Sequence, residues 1–265
     1  MHKPVQHHTV LRGVDAISIR SDRTFPRHSH DEFGFGYIAA GGQESWSGRG
    51  LVEASAGETI TVNPAELHDG IGRKGQPRHW RMLYLSSNAV ERLTDMPVER
   101  VEFSRPVDQS KQMTRLVIDA ITAATLDTPE PDHVEQLVML ALDALLDAPV
   151  KCYKPSTLRH SSDVQIVLDM IQQDWATQLT LDDFSGETGA SRFQVLRRFS
   201  RELGATPHAY LTQLRVKRAK AMIVAGSPLA DTAYACGFSD QSHLTRAFSR
   251  QLGVTPGCFS RAANA

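Results

Sequence analysis

The sequence has little of what marks several classes of protein. It contains only three cysteines among 265 residues, and this small, odd and scattered set argues against a disulfide framework. No run approaches the roughly 18 consecutive apolar residues of a membrane span, so we expect no membrane association. The first residues also lack the apolar core of a signal peptide. These absences favour a protein that stays in the reducing cytoplasm.

Charge is nearly balanced over the chain but not along it. The formal net charge is −1 at pH 7. Between Ser191 and Arg250, however, ten Lys and Arg face only three acidic residues, so this segment carries +7 and the remainder must carry −8. A basic segment on an acidic body suits phosphate binding. Solvated helix faces would explain the same charges if nothing else accompanied them.

The most informative feature of the chain is a repeat. The segment FSRELGATP at residues 199–207 returns as FSRQLGVTP at residues 248–256, with seven of nine positions identical at an offset of 49. Ahead of each copy come an apolar-periodic helix, a turn at Gly189 or Gly237, and a second helix. This is the helix-turn-helix signature. Two such motifs predict recognition helices in successive major grooves of double-stranded DNA, about 34 Å apart.

The helical period predicts which side chains of the two recognition helices are free to reach DNA. The residues expected to face the core are Val195, Phe199, Leu244 and Phe248. The residues expected to face outward are Arg192, Phe193, Leu196 and Arg197 in the first motif, then Gln241, Ser242, His243 and Arg246 in the second. Arg and Gln form bidentate hydrogen bonds with guanine and adenine edges. Arg218, on a helix expected over residues 210–224, is a phosphate contact or a solvated charge.

The chain is expected to be an α+β protein of two domains. Residues 1–150 form an effector domain, residues 151–162 a linker, and residues 163–265 an all-α domain with helix-turn-helix motifs at about 181–203 and 229–252. β-Branched and aromatic residues predict strands at residues 16–19, 33–39, 57–62 and 80–85. Turn signals lie at residues 41–42, 47–50, 63–64 and 70–77. Many short strands at this spacing are typical of a sandwich or barrel.

Helices are expected to follow these strands. Apolar spacing predicts them at residues 88–96, 111–126 and 134–146, the last opened by a capping box at residues 132–135. The apolar residues of this last helix nearly encircle it, so it should be buried. Either the barrel covers it, or it forms the seam of a homodimer.

The segment from residue 181 to residue 259 resembles the AraC/XylS class of bacterial transcription regulators, most specifically in the GFSDQS run at residues 237–242. The resemblance implies base contacts from Phe193, Leu196 and Arg197 and from the four outward residues of the second motif. The class often has a polar residue where Leu196 stands, so either Leu196 contacts a thymine methyl group or the first helix contributes less to sequence discrimination. The resemblance also implies promoter DNA, a small-molecule effector and RNA polymerase as partners, with no cofactor.

The N-terminal third is similar to the cupin-like barrels of such regulators, at residues 26–32 and 57–64 and at His68. Cupin enzymes hold a divalent metal with two His spaced by one residue, a Glu and a later His. His28 and His30 would share one face of a strand, but Gly34 and Phe35 stand where the Glu is expected. Three interpretations stay open: a metal site, a pocket for an organic effector, or strand-end residues with local partners.

The organic-effector pocket is the interpretation we favour. Its candidate contacts are His28, His30, Glu32, Tyr37, Trp46, His68 and Trp80, although aromatic residues in a barrel more often belong to the core.

Two function classes compete. One is a sequence-specific transcription regulator that responds to a small-molecule effector. The other is a metal-dependent cupin enzyme fused to a DNA-binding module. The missing Glu, and the absence of a Ser/His/Asp or Cys/His constellation, favour the regulator and predict no enzymatic activity. The sequence identifies neither the effector nor the operator, and it does not distinguish activation from repression.

Overall fold

The computed structural model describes residues 2–73, 76–146 and 161–263. The chain divides into two compact units whose boundary in sequence lies at residue 156. Most of the linker expected at residues 151–162 therefore lies outside the described residues. Its last residue, Ser162, already belongs to a helix of the second unit.

The N-terminal unit is built on short antiparallel strands. Those described are β1 (His2–His7), β2 (Val14–Ser21), β3 (Phe25–His28), β4 (Phe33–Ala40), β5 (Gly42–Ser47), β6 (Gly50–Ser55), β7 (Thr59–Val62), β8 (His68–Gly72), β9 (Arg78–Leu85) and β10 (Val107–Asp108). One sheet has the order β1-β2-β9-β4-β7-β10, and a smaller one has the order β3-β8-β5-β6. The two sheets contact each other through side chains of β9 and β3.

The larger sheet has two apolar faces because alternate residues of a strand point to opposite sides. Ile17 and Ile19 lie opposite Met82 and Trp80 in the β2–β9 register, and all four are buried. This face meets the smaller sheet through Phe25, whose ring lies 5.5 Å from that of Trp80. The other face packs against helices.

Three α-helices cover that second face: α1 (Ser87–Thr94), α2 (Lys111–Ala124) and α3 (Pro131–Leu145). A 3-10 turn at Val98–Arg100 follows α1. The core combines strand and helix residues, among them Phe35, Leu83, Val117, Ile121 and Leu142.

Two details of α3 correct the sequence prediction. The helix starts at Pro131 and its N-cap, Glu130, makes no side-chain capping bond, so the expected capping box is wrong. Proline has no N–H to donate and its fixed φ favours the first helical position. Met139 and Leu140 are also 44% and 55% exposed, so the helix is not buried all round within this chain.

The C-terminal unit is all-α. Its described helices are α4 (Ser162–Gln173), α5 (Leu181–Thr188), α6 (Arg192–Leu203), α7 (Pro207–Val224), α8 (Leu229–Ala235), α9 (Gln241–Leu252) and α10 (Pro256–Ala263). The first half has its own core, in which Val164, Ile171, Phe184, Val195 and Phe199 are buried together.

The α+β architecture is confirmed: a β-rich N-terminal unit with flanking helices precedes a helical unit with two helix-turn-helix motifs. Within the described ranges, no helix is long and apolar enough to cross a membrane.

Candidate functional site

The first recognition helix, α6, is set by a complete capping box. The Ser191 side chain accepts from the backbone N–H of Gln194, and the Gln194 side chain reaches back to the backbone N–H of Ser191. Val195 and Phe199 are buried, as the helical period predicted. Gly204 ends the helix in the left-handed conformation that suits glycine.

The outward face of α6 carries the expected residues. Phe193 is 70% exposed, a large apolar side chain left in water. Arg192 and Arg197 are exposed as well, while Leu196 is half-buried. Arg192 forms an ion pair with Asp182 of α5 at 3.3 Å, and such an exposed pair contributes little to stability and yields easily to a phosphate or base.

The second recognition helix, α9, has the same design with a different cap. The Asp240 carboxylate accepts from the backbone N–H of His243 at 2.6 Å. This bond is the main cause that holds the pKa of Asp240 below its usual range, so the cap is ionised at neutral pH. Leu244 and Phe248 are buried. Gln241, Ser242 and Arg246 are exposed, and His243 is half-buried.

The ring of His243 is held against the turn of its motif. It packs edge-on against Phe238 at 5.1 Å between ring centroids. Its Nδ1 lies 3.5 Å from the backbone N–H of Ser239, which donates to it. Nδ1 is then an acceptor, so in the neutral ring Nε2 carries the proton and acts as a donor.

The segment between α4 and α5 connects the two motifs. The sequence analysis did not predict this connection. Arg215 of α7, only 7% exposed, donates to the backbone carbonyls of Trp175 and Thr177. Gly237, in the turn of the second motif, has φ +71°, and a Cβ there would collide with the carbonyl oxygen of Ala176. The backbone of residues 175–177 is thus held by both halves of the unit.

Arg218, expected as a phosphate contact or a solvated charge, lies over the Trp175 ring at 5.6 Å. Its guanidinium therefore supports the same segment, whatever else it contacts.

In the N-terminal unit, the three candidate histidines come together. The ring centroids of His28 and His68 are 4.3 Å apart, those of His30 and His68 4.9 Å, and those of His28 and His30 6.4 Å. The expected reason was only partly right, because β3 ends at His28 and His30 lies beyond it. What unites the cluster is the antiparallel pairing of β3 and β8, which sets His28 opposite His68.

The other candidate residues are distributed around this cluster. A carboxylate oxygen of Glu32 lies 3.6 Å from Nδ1 of His30. Trp80 is buried against Phe25. Trp46 is 39% exposed under the guanidinium of Arg27.

Tyr37 is not brought to the cluster. It lies opposite Arg81 of β9, on the face that packs against the helices, and it is part of that core. The alternation of side chains along β4 sends it to the other side of the sheet from Trp80, so it leaves the set of effector contacts.

Arg78 is the residue of this unit that sequence reasoning overlooked. It is 1% exposed and donates to the Gln43 side chain and to the carbonyls of Arg23 and Gly70. Its guanidinium also lies 4.8 Å from the Trp80 ring. Burial lowers its pKa to about 10, so it remains charged at pH 7 and ties β9 to the smaller sheet.

Two of the three histidines in the cluster, His28 and His68, are uncharged at neutral pH. Burial first, and the neighbouring imidazole second, lower the pKa of both His28 and His68 to about 3. Among the residues that the structure describes, no group of three or more His, Cys, Asp or Glu side chains is arranged to hold a metal ion.

Comparison with known families agrees with both units. Residues 13–146 match the model of the AraC-like ligand binding domain, which is half of the chain, and residues 184–262 match a helix-turn-helix domain. The chain belongs to the AraC family of regulators. It is therefore a DNA-binding transcriptional regulator with a ligand-binding domain.

Relatives of this AraC-family regulator are named accordingly. The HTH-type transcriptional regulator YbfI of Bacillus subtilis is 28% identical over 230 residues, which cover 83% of this chain and 81% of YbfI. The activator RhaS of Escherichia coli O139:H28 is 27% identical over 97 residues, 36% of this chain and 35% of RhaS. ToxT of Vibrio cholerae O395 shares the fold at 9% identity, with a TM-score of 0.51 over 100% of this chain and 98% of ToxT. YbfI is named a transcriptional regulator and RhaS a transcriptional activator.

Proposed function

We propose that α6 and α9 enter two successive major grooves of promoter DNA and read base edges there. The observation that carries this proposal is the matched design of the two helices: each starts at a side-chain cap, buries two apolar residues and leaves the side chains of its first two residues exposed. Recognition helices use their N-terminal residues for base contacts. The proposed contacts are Arg192, Phe193, Leu196, Arg197, Gln241, Ser242, His243 and Arg246.

The chemistry of these side chains suits distinct base features. Arg246 and Gln241 are able to form bidentate bonds with guanine and adenine. The Nε2–H of His243 is a donor for a base acceptor or a phosphate oxygen. Phe193 supplies an apolar contact for a thymine methyl group.

The effector site that we propose is the cluster of His28, His30 and His68 with the nearby Glu32. It is supported by the three-ring arrangement within the domain that matches a ligand-binding family. Trp80 contributes indirectly, since it lies against Arg78 and Phe25. An effector acts through its different affinities for two regulatory states, so its contacts set the size of the response.

Further partners complete the proposal. We infer activation rather than repression, since RhaS is named an activator. As a regulator that acts at a promoter, the protein should contact RNA polymerase in the cytoplasm.

We also infer a homodimer, because α3 leaves Met139 and Leu140 exposed. Sedimentation at micromolar concentration tests this: a monomer would contradict it.

The experiment that tests the effector site uses the His28→Ala/His30→Ala double variant. We expect it to fold and bind DNA but to lose its response to effector, because the cluster and the recognition helices belong to different units. Transcription from the cognate promoter is measured against candidate metabolites, with DNA affinity in parallel. His8→Ala, at an exposed position near the N-terminus, is the control. An unchanged dose response in the double variant would show that these histidines are structural.

A further inference from the structure

The proton positions in the histidine cluster follow from three hydrogen bonds to the main chain. Nδ1 of His28 lies 2.8 Å from the carbonyl oxygen of Pro26. Nδ1 of His30 lies 3.0 Å from that of Glu32, and Nδ1 of His68 lies 2.9 Å from that of Glu66. A carbonyl oxygen only accepts, so each Nδ1 must carry a proton and donate it.

The second nitrogen of these rings is therefore an acceptor. In a neutral imidazole with the proton on Nδ1, Nε2 holds a lone pair. Within residues 2–73, 76–146 and 161–263, nothing donates a hydrogen bond to Nε2 of His28 or of His68. These two nitrogens are available to a ligand, and they offer it electron pairs.

Protonation does not convert these acceptors into donors at neutral pH. Burial and the neighbouring imidazole lower the pKa of His28 and of His68 to about 3, so both rings are neutral at pH 7. A carboxylate placed against Nε2 would meet a lone pair instead of an N–H.

A carboxylate at the cluster favours a positive ligand, since Glu32 lies 3.6 Å from Nδ1 of His30. Asp69 acts on His28 in the same direction, but its carboxylate is paired with the guanidinium of Arg27 at 3.3 Å, so the two charges offset each other. The Glu66 carboxylate accepts hydrogen bonds from the backbone N–H groups of Asn63 and Gly48.

We propose that the cluster recognises its effector through hydrogen bonds from an organic ammonium group to Nε2 of His28 and His68, with His30 beside them. This rests on the proposed function of the cluster as the effector site and adds the chemical class of the effector. An ammonium group carries several N–H donors, so one such group is able to serve two imidazole acceptors at once.

The test uses four probes that share a phenyl ring with one attached carbon: benzylammonium, benzyl alcohol, benzoate and methyl benzoate. The full-length protein, labelled with ¹⁵N in its histidines, is titrated with each at pH 7.5. We expect the free protein to show the Nδ1–H form at His28 and His68. Benzylammonium should shift both Nε2 resonances, benzyl alcohol should shift them less, and benzoate and its ester should leave them in place. The His28→Gln/His68→Gln variant should lose this binding, whereas His8→Gln should keep it.

Four outcomes would overturn the proposal: the Nε2–H form in the free protein, shifts caused by benzoate, no shift with benzylammonium, or a divalent metal ion retained at these nitrogens after purification. The promoter assay separates this failure from that of the proposed function. If an acidic metabolite changes transcription and the effect needs His28 and His30, the effector site stands and only its ammonium preference is wrong. If no small molecule acts through these histidines, the site itself is wrong.

Discussion

At the scale of single residues, base recognition should depend on a few exposed side chains of α9. Arg246 projects from the second turn of that helix, and Arg250 follows one turn later, towards its C-terminal end. Because recognition helices contact bases near their N-termini, the two arginines should differ in role.

We predict that Arg246→Ala costs about 1–3 kcal/mol on the specific site and relaxes preference at one or two base pairs. Arg250→Ala, the matched control, should weaken all sequences alike and reduce the salt dependence. Binding to a set of single-base operator variants at several salt concentrations measures both. The opposite assignment would mean that α9 lies in the groove in another orientation.

Arg78 should matter for stability because its removal leaves three acceptors without their donor, at Gln43, Arg23 and Gly70. We predict that Arg78→Ala destabilises the N-terminal unit by on the order of 3 kcal/mol. Arg73→Ala, which loses an exposed pair with Glu53 and a hydrogen bond to the Ser55 hydroxyl, should cost less than about 1 kcal/mol. Urea unfolding followed by tryptophan fluorescence in a Trp175→Phe background reports only on Trp46 and Trp80, which both lie in the N-terminal unit. Equal costs for the two variants would contradict the role of Arg78.

The histidine cluster should make the N-terminal unit sensitive to acid. The unfolded chain binds protons at His28 and His68 near pH 6.5, whereas the folded cluster does so only near 3. The stabilisation that the two neutral histidines give the folded state is therefore fully present above about pH 6.5. It is lost as pH falls, by at most ~1.4 kcal/mol per pH unit for each histidine. Between pH 5 and 7, the free energy of unfolding should depend more steeply on pH for the wild type than for His68→Asn. Parallel curves would show that the cluster is not buried in its neutral form.

At the scale of helices and strands, the sequence predicts the ends of an element where local chemistry sets them. Caps and left-handed glycines bound α5, α6 and α9, so their ends agree with the sequence prediction within about a residue. The smaller sheet was missed because β5 and β8 carry Gly, Ser and charged residues, which resemble turns. Their pairing is a long-range property, and no local pattern reports it. The hydrogen bonds by which Arg78 and Arg215 join distant segments were not predicted for the same reason.

The turn glycines of the two motifs allow a matched test of how the motifs are joined. Gly189 and Gly237 both have positive φ, but a Cβ on Gly189 meets nothing within 4 Å, whereas one on Gly237 meets the backbone of Ala176. Ala at either position carries the strain of the left-handed conformation, about 1–2 kcal/mol. Gly237→Ala should add a further ~1–3 kcal/mol from the collision.

DNA affinity should fall more for Gly237→Ala than for Gly189→Ala, since the displaced segment also holds α7 through Arg215. Thermal unfolding and operator binding of the two purified variants measure the difference. If the two variants behave alike, the segment at residues 175–177 does not join the motifs.

At the scale of the whole molecule, positive charge is concentrated in the part of the helical unit that carries both recognition helices. Residues 191–250 carry +7 and the remainder of the chain carries −8, so the chain attracts phosphate where it reads bases and little over the rest of its surface. The effector cluster belongs to the other unit. Such a division allows ligand chemistry and operator sequence to change independently.

The central claim is that one chain reads two successive major grooves. Footprinting of the full-length protein on its selected operator tests it most directly, with Gln241→Ala/Arg246→Ala beside the wild type. The wild type should protect two patches about 10 bp apart, and the double variant should lose one patch and keep the other. A single short patch, or two patches that the double variant leaves unchanged, would contradict the account.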